Sequence, residues 1–239
     1  MHIVVPLAGP DFERADGRVK AEAEAEVDGA PLLRQTLDTR AWLRSDRASQ
    51  CNLTFILRDS PVSRRFGEGP LNAWYPKARR VFLSGETQGA ALSALAGVAL
   101  TRSTSEPLCI DLADIQYVST FEPRRLFADR PDVGAAALTF SSNKPAYSYL
   151  RTDETGDVVE AAEKRVISQN ASAGTYFFAS STVYLSALAH NLANVDRVAY
   201  NGLFYVCPLF NGVLASGLRV VLERAENVRD IKFDAGGPI

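Results

Sequence analysis

Histidine is nearly missing from this chain. Only His2 and His190 occur in 239 residues, at unrelated places, which argues against a histidine-based triad or a histidine-rich metal site. Cysteine is scarce too. Cys51, Cys109 and Cys207 are odd in number, widely spaced and set in or beside apolar runs, so they read as buried free thiols in a reducing compartment rather than disulfides or a zinc site. No excess of one charge exists. The 26 basic and 28 acidic side chains are mixed along the chain and leave a net charge of −2, so no nucleic-acid partner and no disordered acidic tail is expected. Repeats, low-complexity tracts and linkers are lacking as well, and no apolar run approaches the length of a membrane span. The opening His2-Ile-Val-Val-Pro-Leu-Ala-Gly9 has no basic leader and too short an apolar part for an export signal, so the expected location is cytoplasmic.

Apolar material is plentiful. At 46% hydrophobic residues, the chain can bury one sizeable α/β core, and one domain over 1–239 is expected. Ile3-Val4-Val5-Pro6-Leu7 predicts a short buried strand, which Ala8-Gly9-Pro10 breaks into a polar loop running to about Gly29. Asp28-Gly29 marks a turn, and Pro31 with Leu32, Leu33, Leu37, Trp42 and Leu43 predicts the first helix. Strands are expected at 51–57, 80–83, 107–115 and 133–140, with a small-residue helix over 92–100 and a polar segment from the second strand to about Lys77. The turn 153–157 joins a hairpin, a strand entered through Gly174 follows, then a helix over about 181–192 and a late strand at 219–222. This alternation favours one doubly wound, Rossmann-like, mostly parallel mixed sheet with a small antiparallel insertion near the hairpin. Trp74-Tyr75 offers an apolar subunit contact for a homo-oligomer.

The chain is organised around Pro107-Leu-Cys-Ile-Asp-Leu-Ala-Asp114-Ile115, an apolar run that ends in Asp111 and Asp114. In open α/β sheets ligands bind off the carboxyl ends of the strands, so an acid there is poised for a metal or a ribose. The same Asp114 also fits a capped turn before Thr120-Phe121-Glu122. Arg14, Arg18 and Lys20 place positive charge beside Gly9, as phosphate binding requires, although Glu13, Glu22, Glu24 and Glu26 dilute it. Gln88-Gly89 opens the Ala-rich helix, where a glycine admits a flat ring or a phosphate and Gln88 can pair with a base edge in both directions.

The ordered set of pieces resembles the sugar-phosphate nucleotidylyltransferases across essentially the whole chain. It comprises Pro-Leu-Ala-Gly9 after the first strand, Lys20 and Asp28-Gly29-Ala-Pro-Leu before the first helix, and Thr87-Gln88-Gly89-Ala-Ala. Leu-Ala-Asp114, Glu163-Lys164 followed by Ser168, and Gly174-Thr-Tyr-Phe complete it. That resemblance implies a GT-A-type α/β fold, Mg²⁺ as cofactor, and the joining of a nucleoside triphosphate to a sugar 1-phosphate with release of pyrophosphate, for surface polysaccharide. Carried over by position, Leu7, Ala8, Gly9, Gln88 and Gly89 would bind the nucleotide. Glu163, Lys164 and Gly174 would hold the sugar phosphate, Lys20 and Arg14 would be catalytic, and Asp114 and Asp234 would be the metal ligands, with Asp111 competing for the place of Asp114.

One stretch departs from the family. Its Gly-x-Gly-x-Arg loop is here Gly9-Pro10-Asp11-Phe12-Glu13-Arg14, so Pro10 removes a backbone N–H and two carboxylates enter where phosphates would lie. Two readings follow, an active transferase with Arg14 in a shifted register, or a catalytically degenerate relative that binds a nucleotide or nucleotide sugar in a regulatory role. A glycosyltransferase of the same fold would need a second acid adjacent to Asp114, and Asp-x-x-Asp does not supply it.

Overall fold

The computed structural model describes residues 1–22, 29–44 and 52–230. Strand β1 (His2–Pro6) is followed by a loop with one 3-10 turn at Lys20–Glu22, then by two short helices, α1 (Leu32–Asp38) and α2 (Ala41–Arg44). Next come β2 (Leu53–Arg58), α3 (Pro61–Glu68), α4 (Pro70–Trp74), β3 (Arg79–Leu83), α5 (Ala90–Val98), β4 (Leu108–Asp111), β5 (Ile115–Val118) and α6 (Pro123–Asp129). The second half holds β6 (Val133–Ser141), β7 (Tyr149–Thr152), β8 (Val158–Ala162), β9 (Asn170–Phe178), α7 (Ser181–Ala193), α8 (Val195–Val198), α9 (Leu209–Ala215), β10 (Arg219–Arg224) and β11 (Glu226–Asp230).

The main sheet runs β10-β6-β9-β4-β1-β2-β3. β1 pairs in parallel with β2 and β4, β2 with β3, and β6 with β10, while β9 lies antiparallel between β4 and β6. The mixed, mostly parallel α/β sheet expected from the sequence is therefore present. The antiparallel insertion is the β7–β8 hairpin, joined to the start of β9 by Tyr149 opposite Ala171. A second, two-stranded antiparallel sheet pairs β11 with β5.

Period-two alternation builds a core on each face of the sheet. Ile3 and Val5 join Leu33, Leu37, Phe55, Phe66 and Phe177 on one side, and Val4 joins Ala91, Ala94, Ile110, Tyr184 and Phe210 on the other. β1 is thereby buried on both faces, as a central parallel strand must be.

The structure differs from the expectation at several places, each for a local reason. The segment read as polar up to Lys77 forms α3 and α4, because Ser60 caps α3 through the Ser63 N–H at 3.1 Å and Pro61 and Pro70 occupy first helical turns. The first helix breaks at Thr39–Arg40. Gly174 sits inside β9 instead of leading into it. Trp74-Tyr75 is less exposed than expected for a subunit contact: Tyr75 is buried beside Phe55 with its hydroxyl 3.3 Å from Asp38, and Trp74 is half-buried and packs edge-on against Phe66. Cys109 and Cys207 are buried free thiols, as expected, whereas Cys51 lies outside the described residues. Among the described residues no helix is long and apolar enough to cross a membrane.

One buried ion pair ties the two halves of the first core together. Arg40 donates from Nε to Asp111 Oδ2 at 2.8 Å and from Nη2 to the Ile115 carbonyl at 2.9 Å, and its guanidinium lies 3.8 Å over the Tyr117 ring. Burial by itself would lower the Arg40 pKa, but Asp111 and Tyr117 reverse this and hold the guanidinium charged. Asp111 is thus a structural residue facing away from the sheet edge. Replacing it with Ala strands a buried cation, and the expected loss is about 3–5 kcal/mol in urea unfolding; a loss below 1 kcal/mol would mean that Arg40 finds another partner.

Candidate active site

A cavity of about 1040 Å³ opens at the carboxyl ends of β1 and β4. It lies at or slightly above the usual ligand-pocket range of roughly 300–1,000 Å³, with room for a nucleotide and a second ligand. The β1 end supplies Pro6 to Phe12. The start of α5 supplies Thr87, Gly89 and Ala90, the β4–β5 junction supplies Asp114, and the end of β8 supplies Glu163 and Lys164. Gly174 comes from β9, whose antiparallel course brings its first half to this edge.

The β4–β5 junction shows why the two aspartates diverge. The Asp111 carboxylate accepts from the Ala113 N–H at 2.9 Å, and Ala113 takes a left-handed backbone at φ 54°. That turn points Asp111 toward Arg40 and leaves Asp114 on the cavity wall. A left-handed non-glycine residue costs about 1–2 kcal/mol, held here by the buried pair beneath it. With Asp111 committed to Arg40, the second acid that a glycosyltransferase reading wants is not supplied from this strand.

Gly174 makes the space that Asp114 uses. Its φ is +74°, and a Cβ built on it would fall 2.6 Å from Asp114 Oδ1. Gly89, which lines the cavity, also has a packing role. A Cβ there would fall 2.4 Å from the Phe204 carbonyl oxygen, so its bare backbone lets the 204 segment pack on the start of α5. Gln88 beside it is exposed, with Thr87 and Gly89 lining the cavity on either side.

The loop after β1 is more ordered than its polar sequence implied. Arg14 N–H donates to the Arg18 carbonyl at 2.8 Å and Lys20 N–H to the Phe12 carbonyl at 2.9 Å, closing a small hairpin. Phe12 and Val19 are buried and anchor it, Phe12 against Phe66. The sequence sets the negative charge of Glu13 where phosphates would lie. Instead Glu13 accepts hydrogen bonds from the Ser60 hydroxyl and, at 2.7 Å, from the Ser63 hydroxyl at the start of α3, and it does not line the cavity. Asp11 does line it and accepts from Lys20 Nζ at 2.7 Å, while Arg14 pairs with Asp16.

Of the sequence-derived site residues, Leu7, Ala8, Gly9, Arg14, Lys20, Gly89, Asp114, Glu163, Lys164 and Gly174 line this one cavity. Gln88 adjoins it, and Asp234 lies outside the described residues. Sequence reasoning missed Tyr147, Ser148, Tyr205 and Asp230, which also line it. Ser148 donates a hydrogen bond to Glu163 Oε2. The Tyr147 phenol pKa is raised by burial and then by its hydrogen bond to Asp230. Tyr147-Ser148 was visible only as hairpin sequence, and nothing in Glu226-Asn-Val-Arg-Asp230 marks its last residue as part of a site.

The electrostatics of the lining follow from these residues. Asp11, Glu86, Asp114, Glu163 and Asp230 outnumber Arg14, Lys20 and Lys164, so a bare polyphosphate would be repelled unless a divalent cation accompanied it. Among the described residues no group of three or more acidic, histidine or cysteine side chains forms a closed metal cage. The Asp114 carboxylate, in a cradle that a Cβ at Gly174 would fill, is a donor that suits Mg²⁺, which keeps several waters and binds through one or two carboxylates plus phosphates.

No protein-family model matches this chain, and no curated protein sequence does. Solved structures do. A nucleoside-diphosphate-sugar pyrophosphorylase from Vibrio cholerae RC9 superposes with a TM-score of 0.76 at 20% identity, over 95% of this chain and 93% of that one. A putative glucose-1-phosphate thymidylyltransferase from Bacillus anthracis, in complex with sucrose, gives 0.70 at 13% over 96% and 89%. A UDP-glucose pyrophosphorylase complexed with UDP-glucose gives 0.66 at 14% over 96% and 92%. The fold of this chain is accordingly that of the nucleotidyltransferases.

Two expectations test the local geometry. Gly174→Ala must either move Asp114 or strain β9, so a stability loss of roughly 1–2 kcal/mol or more is expected in thermal unfolding; an unchanged melting temperature would mean that the cradle relaxes freely. The second concerns pH. The Ser60 hydroxyl, followed by that of Ser63, holds the Glu13 pKa below the ordinary 4.5 against the opposing effect of burial. A depressed folded-state pKa stabilises above the ordinary value and loses that effect as pH falls through the folded one. Hydrogen-exchange protection of the Lys20 amide should therefore drop on acidification below about 4.5, and Glu13→Gln should flatten that dependence.

Proposed function

We propose that this chain, as one nucleotidyltransferase-like unit over 1–239, joins a nucleoside triphosphate to a sugar 1-phosphate and releases pyrophosphate. The observation that carries the reading is the single cavity walled by Leu7, Ala8, Gly9, Lys20, Asp114, Glu163 and Lys164, drawn from separate strand ends of a nucleotidyltransferase fold.

The chemistry asks little of general acids or bases. A phosphate monoester has a second pKa near 6, so at neutral pH the acceptor is already a dianion. One of its oxygens attacks the α-phosphorus, the bond from that phosphorus to the bridging oxygen breaks, and pyrophosphate leaves with the electron pair; no proton needs to move. The barrier lies in bringing anion to anion. Lys20 and Arg14 face the triphosphate from the loop after β1, with Leu7, Ala8 and Gly9 as its backbone floor and Gln88 and Gly89 toward the base. Glu163, held by Ser148, takes sugar hydroxyls, and Lys164 takes the acceptor's phosphate. Mg²⁺, held by Asp114 and by Asp234 as second ligand, would neutralise charge on the transferred and leaving phosphates.

The Asp11–Lys20 pair of 2.7 Å favours a second reading, in which the carboxylate keeps the loop from a triphosphate and the chain binds a nucleotide or nucleotide sugar without turnover. A pyrophosphate-release assay with Mg²⁺, each nucleoside triphosphate and a panel of sugar 1-phosphates separates the two. Turnover that falls at least about a hundredfold in Asp114→Asn, as loss of a group stabilising transition-state charge would cause, supports the transferase. No turnover, with a nucleotide sugar still raising the melting temperature, supports the binding module.

A further inference from the structure

Three cations line the cavity among the described residues, and two of them are already committed to carboxylates: Lys20 to Asp11 and Arg14 to Asp16. Lys164 is held in another way. Its Nζ lies 5.3 Å from the Tyr200 ring centroid and 5.4 Å from that of Tyr205. Both distances fall inside the roughly 6 Å reach of a cation–π contact.

The rings are delivered by a small, well-determined turn. Tyr200 and Leu203 exchange backbone hydrogen bonds of 3.1 and 3.0 Å around Asn201-Gly202, whose φ values are 52° and 73°. Two left-handed residues in a two-residue loop define the tight turn that Asn-Gly favours. The two rings stand 6.3 Å apart at 71° to each other, so they offer two different faces to one ammonium. Phe204 between them is pinned to the start of α5: its N–H donates to the Gln88 carbonyl at 2.8 Å, and its own carbonyl accepts from the Ala91 N–H at 3.0 Å. The lysine side is fixed too. Lys164 has φ 49°, a left-handed backbone at the end of β8, and its N–H donates to the Tyr147 carbonyl at 3.1 Å.

We propose that Tyr200 and Tyr205 are positioning residues that clamp the Lys164 ammonium between two ring faces and hold it for the phosphate of the acceptor ligand. A carboxylate in their place would orient the lysine equally well but would compete with the incoming phosphate for its charge; a ring quadrupole orients without cancelling the charge. The proposal deepens the sugar-phosphate role of Lys164 and rests on that role.

The 239-residue chain makes a direct test practical, because it holds only five lysines. With the lysines ¹³C-dimethylated, which keeps their charge, the Lys164 signal is identified by its loss in Lys164→Arg. In the wild type this signal should be shifted upfield by the rings, remain so in Tyr200→Phe and Tyr205→Phe, and return to the position of an exposed lysine in Tyr200→Leu/Tyr205→Leu. Titrating inorganic phosphate and then glucose 1-phosphate while following the Lys164 signal gives a local Kd. It should rise about three- to tenfold in the double Leu variant, the scale of two cation–π contacts, and stay near wild type in the Phe variants. Should the double variant fail to fold, Tyr200→Leu alone, on the turn, is read in the same way with a smaller rise.

An unshifted wild-type signal overturns the clamp. So does a Leu variant that loses the shift yet binds phosphate as tightly as wild type, or a Phe variant that loses as much affinity as Leu, since the hydroxyls would then be responsible. Turnover in the pyrophosphate assay decides the transferase reading separately. Weakened phosphate binding without turnover keeps the clamp and discards the reaction, and turnover with unchanged phosphate binding does the reverse.

Discussion

The buried contact between Arg40 and Asp111 is the constraint on which the site depends. A guanidinium and a carboxylate removed from water need good mutual geometry and further partners to offset their desolvation, and here the pair also takes in the Ile115 carbonyl and the Tyr117 ring. Because Asp111 additionally accepts from the Ala113 N–H, the chain leaving β4 must turn sharply through a left-handed residue. Asp114 is thereby delivered to the cavity and β5 begins at once in a new direction. A pair that lies outside the cavity lining thus sets the position of the carboxylate on the cavity wall.

The same division between supporting and facing groups recurs around the cavity. Glu13 is drawn off to the hydroxyls at the start of α3, which steadies the loop carrying Arg14 and Lys20. Ser148 holds one oxygen of Glu163, and the 200–205 turn holds Lys164. Gly174 contributes by having no side chain, leaving room for Asp114. Left-handed backbone at Ala113 and Lys164 falls at this edge, in keeping with the tendency of functional sites to concentrate strain that surrounding packing over-determines.

Much of the fold was legible because its central strands are buried on both faces and so read as unbroken β-branched and apolar runs, Ile3-Val4-Val5 and Leu108-Cys109-Ile110 above all. The hairpin around 153–157 was legible from its turn chemistry, with Asp153 accepting from the Thr155 and Asp157 N–H groups. What stayed hidden had weak local signals. α3 and α4 are short, α3 carries serine and two arginines, and each opens on a proline, so only their first turns betray them. β5 and β11 exist because they pair with each other across more than a hundred residues, and no window of sequence contains that partnership.

By itself the sequence determined the strand and helix alternation, the chemical inventory of the site, and the order in which its pieces occur, because these depend on side-chain type and spacing along one chain. Tertiary structure alone decided which of two aspartates three residues apart goes to the core and which to the cavity. It also turned the Glu13 side chain away from the cavity to the serines at the start of α3, gave Gly89 its packing against Phe204, and brought Tyr147, Tyr205 and Asp230 to the wall. These outcomes turn on where a distant arginine, serine or backbone carbonyl comes to lie. Electrostatic attraction and steric exclusion act across space, and the spacing of residues along the chain does not encode that distance.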